Sequence, residues 1–246
     1  MSNVGRITMQ RIGIITLLVC SLVSVHQMAE AQVGNRPESS PYRDLRAKKA
    51  LSFTGAYLTG SRGKAGVGPG AGPYLGARFD MHFTGPASMG VTAGLANLDR
   101  VVIDPTYGPA NRTQDTTTQA IFMVDGDFDL LLTGEKSWHS MIPYIGAGLG
   151  LAFGTSVEED SLSGFSFAVQ FTAGPRLGIW VQPSDRISFR VEAADVIWKL
   201  SYPDGFFTIP ENEPTAPPVL DANVMKDSQW VHHLRLSISL GYAIGN

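Results

Sequence analysis

The feature that most limits what this chain can become is a two-residue alternation that sets charges on one face of an extended segment and bulky apolar groups on the other. Between Tyr74 and Phe83, the residues Leu75, Ala77, Phe79, Met81 and Phe83 share one side, while Gly76, Arg78, Asp80 and His82 share the other. Successive side chains of a β-strand point to opposite faces, so this is a strand with one apolar and one charged face. A second copy runs from Val124 to Leu130 and stacks Asp125, Asp127 and Asp129 opposite Val124, Phe128 and Leu130. The rhythm recurs from Leu51 to Ile244, and the nature of the chain turns on which face meets water.

The amino terminus reads as an export signal covering residues 1–31. Arg6 and Arg11 precede the apolar run Ile12 to Val25, and Ala29, Glu30 and Ala31 give the small-x-small pattern that places cleavage near Gln32. The run is about 14 residues, short of the roughly 20 that a spanning helix needs. Lipid attachment at Cys20 is disfavoured, because Val19 stands where a small side chain is required. Of the 19 basic and 22 acidic residues, Arg6, Arg11 and Glu30 leave with the signal, so the mature chain carries a net charge near −4. So mild an acidic balance gives no electrostatic reason to expect a nucleic-acid partner. Cys20 is the single cysteine, so the mature chain forms no disulfide, which suits an oxidising compartment without proving one. The remainder has the length of one all-β domain.

Residues 32–49 are polar, carry Pro37 and Pro41, and read as a flexible periplasmic leader. Eight strand candidates follow, at 50–59, 73–84, 88–103, 117–132, 141–155, 164–181, 187–201 and 229–244. Their links alternate between short ones (85–87, 133–140, 182–186) and mostly longer ones (60–72, 104–116, 156–163, 202–228). Short turns on one rim, long loops on the other and both termini on the short-turn side make the layout of an outer-membrane barrel spanning residues 50–246. The last loop holds Pro203, Pro210, Pro214, Pro217 and Pro218, which rule out a regular ladder there.

Three observations turn the charged face inward. Of the lysines after the signal, Lys199 alone falls in a strand candidate, whereas the strand charges are mainly Arg, Asp and Glu, suited to forked ion pairs in a confined space. Trp138 and Trp180 fall at strand ends by the short turns and Trp198 and Trp230 at ends by the long loops, as two interfacial girdles would require; Tyr144 and Tyr242 are further candidates for that role. Several strands also exceed the five or six residues usual in globular sheets. The enclosed set is then Arg78, Asp80, His82, Asp125, Asp127, Asp129, Arg176, Arg190, Glu192, His233 and Arg235, whose four arginines nearly balance five carboxylates. An eight-stranded barrel has an interior that its own side chains can fill. The expectation is a structural ion-pair network that plugs the barrel.

The segment Pro143 to Phe153 (PYIGAGLGLAF), together with Ser188 to Ala193 and His233 to Tyr242, resembles the small bacterial outer-membrane β-barrel family that includes OmpA-type and opacity-type proteins. The resemblance covers roughly residues 50–246 and rests on motifs that encode barrel geometry. It implies an all-β fold, a closed antiparallel up-and-down transmembrane barrel of about eight strands. It also implies a monomer in contact with outer-membrane lipid and lipopolysaccharide, handled by the barrel-assembly machinery during biogenesis, without cofactor or enzymatic activity. Two features depart from the family pattern. The chain ends Tyr242-Ala-Ile-Gly-Asn246 and not on an aromatic residue, and Pro175 lies inside a strand, where it predicts a bulge or a misplaced boundary. A following peptidoglycan-binding domain is not expected.

Other motifs carry little. Asp125-x-Asp127-x-Asp129 lacks the Gly and Glu of a calcium loop, since Leu130 and Lys136 stand at those positions. The glycines at 66, 68, 70 and 72 are not followed by the Gly-Lys-Ser/Thr of a phosphate cradle and read as a flexible loop. His232 and His233 point to opposite faces and cannot share a metal. His139 and Ser140 are the one pair that suggests a lipid hydrolase, with no acid evidently placed. The function expected is structural or adhesive, carried by the long loops, with Phe206 and Phe207 either contact candidates for an extracellular partner or folded back onto the barrel rim. Its rivals are a narrow pore using the space at Gly146, Gly148 and Gly150, a soluble exported barrel binding an apolar ligand, and a lipid-modifying enzyme.

Overall fold

The computed structural model describes residues 40–45, 48–83, 85–157, 161–224 and 226–244. The expected signal peptide and the start of the expected leader fall outside them. Among the described residues there are ten strands: β1 (Tyr42–Asp44), β2 (Lys49–Gly60), β3 (Gly72–His82), β4 (Ala87–Ile103), β5 (Thr113–Leu131), β6 (Lys136–Trp138), β7 (Met141–Gly154), β8 (Val169–Val181), β9 (Ile187–Ser201) and β10 (Ser228–Ala243). Eight of them form the wall in chain order, β2-β3-β4-β5-β7-β8-β9-β10, and β10 returns to pair with β2 from His233↔Gly60 to Ala243↔Ala50. The cylinder is closed and every neighbour is antiparallel, so no wall strand is left with an open edge along the length it shares with both neighbours.

The apolar face is outside. Phe53, Leu75, Leu149, Leu177, Val191, Leu236 and Ile238 are all more than half exposed, while Arg78, Asp80, Asp127, Arg176 and Arg190 on the opposite parity are 2–4% exposed. A water-soluble barrel would invert this. An exposed belt of Phe, Leu, Ile and Val around a closed hydrogen-bonded wall is stable only against acyl chains, so this is a closed antiparallel up-and-down transmembrane barrel. Its fold excludes the soluble barrel with an apolar interior. On β10 the belt runs from Tyr242 to Leu234, and on β5 from Leu130 to Phe122.

Four details differ from the sequence expectations. First, β8 begins at Val169, not 164, because Phe165 and Phe167 turn into the barrel mouth as loop residues. Second, Pro175 makes no bulge: the β8–β9 pairing passes from Ala173↔Ile197 to Arg176↔Ala194 in unchanged register, leaving Gly174 and Pro175 outside the ladder. Pro175 is exposed on the lipid face, where its missing donor costs one ladder bond. Third, β5 starts at Thr113, four residues before its expected beginning. Fourth, a strand forms within the segment expected to be a flexible leader. Its β1 pairs with β6, a strand within the 133–140 turn; Leu45 N–H donates to Glu135 and His139 N–H to Pro41.

Candidate functional site

The inward-facing side chains fill the barrel in three stacked layers. The middle layer is ionic. Arg78 donates through Nε to Asp80 (2.7 Å) and through an Nη to Asp129 (3.0 Å), and its other Nη reaches Asp127 and Thr92. Arg176 forms ion pairs with Asp127, Asp129 and Glu192. Arg190 bridges Asp80 (2.9 Å) and Asp129 (3.5 Å), and Arg235 pairs with Asp125 (3.0 Å). Hydroxyls complete the set: Thr92 donates to Asp127, Thr172 to Asp125 and Tyr144 to Glu192. Uncompensated charge at such burial costs several kcal/mol per ion; each carboxylate here meets at least one guanidinium.

The glycines of β7 do not open a passage. Gly146, Gly148 and Gly150 stand directly across the ladder from Asp129, Asp127 and Asp125. A Cβ at any of the three would collide with the facing carboxylate, so the space the glycines free is already occupied. Aspartates on one strand and glycines on the next form one sterically matched pair of files. The cavity beside Asp125, Asp127 and Arg235 amounts to about 20 Å³, room for about one water molecule.

Above the ionic layer, toward the long loops, the lumen becomes apolar. Leu58, Leu98, Ile121, Met123, Val196, Trp198, Leu200 and Val231 point inward from the wall, and Val67, Phe165, Phe167, Tyr202, Phe206 and Leu220 descend onto them from the loops. His233 sits at the boundary, fully buried and tilted against Trp198 with ring centroids 4.2 Å apart, its Nε2 2.8 Å from the Pro69 carbonyl. Arg100, also fully buried, ties Val67 and Gln119 together and lies 4.9 Å over the Phe165 ring. Below the ionic layer a smaller cluster of Ala50, Leu131, Ile142, Tyr144 and Trp180 receives Leu45 from the leader. The lumen is closed at both ends by apolar packing and in the middle by salt bridges.

The structure brings nine of the eleven expected lumen residues into one network and leaves two out. His82 lies below it, tilted against Trp180 with ring centroids 4.6 Å apart, and His233 lies above it. Three of the expected girdle aromatics face the wrong way for lipid. Tyr144, Trp180 and Trp198 are 0–3% exposed inside the barrel, whereas Trp138, Trp230 and Tyr242 are on the outer surface. Trp180 shares the parity of Arg176, and Trp198 that of Arg190 and Glu192, so the alternation that places the charges inside also places these rings there. Both take cationic neighbours or stack: Arg190 lies 5.0 Å over Trp180 and 5.1 Å over Tyr144.

Phe206 is likewise not an exposed contact. It is fully buried, stacked on Tyr202 at 6.0 Å within a one-turn 3-10 helix at Asp204–Phe207, and Phe207 is half-buried beside it. His232, on the outer face, pairs with Asp195 at 2.7 Å. His139 and Ser140 both adopt left-handed backbone at the short-turn rim, and no hydrogen bond joins their side chains among the described residues. Sequence reasoning missed the whole apolar upper layer; following the parity of Arg190 and Glu192 onward to Val196, Trp198 and Leu200 would have found it.

An eight-stranded cylinder with a lipid-facing belt and a salt-bridged interior defines a small outer-membrane-type β-barrel. Comparison with solved structures finds outer-membrane proteins of low similarity. Neisserial surface protein A is 11% identical, with a TM-score of 0.48 over 80% of this chain and 98% of that one. The outer membrane protein OprG from Pseudomonas aeruginosa is 12% identical, with a TM-score of 0.47 over 82% of this chain and all of that one. Ail, the attachment invasion locus protein of Yersinia pestis, is 8% identical, with a TM-score of 0.33 over 78% of this chain and 95% of that one. No family model and no curated protein matches the sequence.

Proposed function

We propose that this protein is exported through the signal at residues 1–31, inserts as a monomer in the bacterial outer membrane, and serves as a sealed, non-conducting support that presents its long loops to the exterior. The short-turn rim with the β1–β6 pairing then lies in the periplasm, and Tyr242 is the aromatic residue offered to the assembly machinery. The single observation that carries the reading is the continuous filling of the lumen, apolar, ionic and apolar again. The loops are built to hold a shape. Arg112 donates to the Pro217 carbonyl, Asn111 to Glu213 and Asn212 to Thr106, which fasten loop 202–227 to the β4–β5 hairpin. A platform held in this way suits a structural or surface-interaction role, and no catalytic step is assigned.

Planar-bilayer recording tests this directly. Purified, refolded protein is expected to give no steady unitary current; regular conductance steps would establish the narrow-pore alternative. N-terminal sequencing of the mature protein from outer-membrane fractions is expected to begin near Gln32.

A further inference from the structure

The β4–β5 hairpin outgrows its neighbours on one side. β5 pairs with β4 from Leu130 to Thr113, but with β7 from Leu131 to Ile121 alone. Thr155 N–H adds one bond to the Ala120 carbonyl, and beyond it β5 has no backbone partner on that side among the described residues. In an antiparallel strand the N–H and C=O of a residue serve the same neighbour, and alternate residues serve opposite ones. Leu131 N–H donates toward β4, to Pro86, and Leu132 N–H toward β7, to Pro143, so even-numbered residues of β5 face the β7 side. Thr116 and Thr118 therefore turn their main-chain groups away from β4, toward a side with no backbone partner among the described residues; the Thr116 N–H is taken by the Asp115 carboxylate at 2.6 Å.

Open edges are normally blunted by lysine, proline or a bulge. This one has neither lysine nor proline, and its single irregularity lies at its far end, where Val102 pairs with Asp115 and Ile103 with Thr113 so that Gln114 is left out of the β4 ladder. Its sequence is Gln-Asp-Thr-Thr-Thr, exposed except at half-buried Thr117, and rich in β-branched residues that favour an extended chain. It begins four residues above Phe122, whose ring packs beside Phe153 at the top of the lipid belt, and so stands clear of the acyl chains.

We infer that Gln114–Thr118 is a docking edge for an extended, cationic segment of another protein, which adds to the sheet as a further strand beside β5. This deepens the surface-interaction reading above and rests on it. Charge selects the occupant. Asp115 lies in the edge itself, and the loop 202–227 fastened to the hairpin carries Asp204, Glu211, Glu213, Asp221 and Asp227 against Lys226 as its one base. A second copy paired edge to edge would bring Asp115 near its own counterpart, which is unfavourable across a ladder; a strand bearing Lys or Arg on alternate residues relieves that field while satisfying the open amides and carbonyls.

The test uses the full mature protein folded in an uncharged detergent and a fluorescein-labelled octapeptide alternating Lys and Val, followed by fluorescence anisotropy. Saturable binding is expected, weakened about tenfold or more when alternate peptide amides are N-methylated, since two or more main-chain hydrogen bonds are then lost. Thr118→Pro is expected to weaken it equally with unchanged unheated gel mobility, because the barrel does not use the Thr118 N–H. The inference is overturned by equal binding of the N-methylated peptide, by equal binding of a Glu/Val octapeptide, by indifference to Thr118→Pro, or by light scattering that shows a dimer abolished by Thr118→Pro. Absence of any peptide binding with bilayers still silent removes this docking edge and leaves the sealed barrel standing; conductance would remove the sealed barrel whatever the peptide does.

Discussion

The middle of the lumen and its outer mouth are enclosed by the same eight strands yet filled by opposite chemistry. In the middle, four arginines bind five carboxylates with scarcely any room left. At the mouth, Trp198, Leu98, Ile121 and Met123 pack against Phe165, Phe167 and Phe206 as the core of a soluble domain would. The difference follows from what can reach each place. Only strand side chains reach the middle, and there the wall needs two unlike faces so that a one-residue slip is penalised. At the mouth the loops can supply apolar partners, and hydrophobic packing becomes available where the wall rises toward water. The contrast teaches that in a lipid-borne barrel each level of the interior is filled by whichever partners can reach it, ionic in the middle and apolar at the mouth.

The sharpest way to break the middle is Arg78→Ala. It leaves Asp80, Asp127 and Asp129 short of a buried partner and is expected to cost about 4 kcal/mol, read as a lower urea midpoint in folding followed by unheated gel mobility. Phe206→Ala at the mouth is expected to cost about 3 kcal/mol, but locally: hydrogen exchange should rise across 202–227 while wall amides stay protected. Equal loss of protection in both would show that mouth and middle are one cooperative unit and erase the distinction. Gly148→Ala puts a Cβ 2.8 Å from the Asp127 carboxylate and is expected to destabilise the wall by about 2 kcal/mol through overpacking.

The smallest effect sharpens the comparison at the loop anchor. Tyr202 donates to Gln229 at 3.1 Å, and burial pushes its phenol above the ordinary value. The fold therefore favours the protonated form. Its contribution is complete below the unfolded phenol pKa of about 10 and fades as pH rises through the higher folded value. Loop protection should thus weaken in alkali, whereas Tyr202→Phe, at a cost of about 1 kcal/mol, should abolish that pH dependence and leave the ionic layer unaffected.

How much could be read without the structure depends on the region. Around Arg78, Asp80, Asp127 and Arg190 the two faces of each strand differ so strongly that strand existence, orientation and the enclosed set all follow from alternation. Near the mouth, Val196-Ile197-Trp198 and Ile121-Phe122-Met123 are apolar on both faces, and local pattern no longer says which side is in. That is why Trp198, and at the opposite end Trp180 between Ile179 and Val181, are expected at the lipid interface and are found inside. The orientation of those residues is inherited from charges several positions away.

The sequence by itself determined the periodicity, the short and long links, and the near balance of buried charge, because these depend on strand geometry and on the cost of an unpaired ion. Tertiary structure alone decided that the glycines of β7 make room for the aspartates of β5, that loop aromatics at Phe165, Phe167 and Phe206 seal the mouth, and that β5 stands beyond β7 with an open edge. Each of these depends on register between segments distant in the chain, which no local pattern encodes.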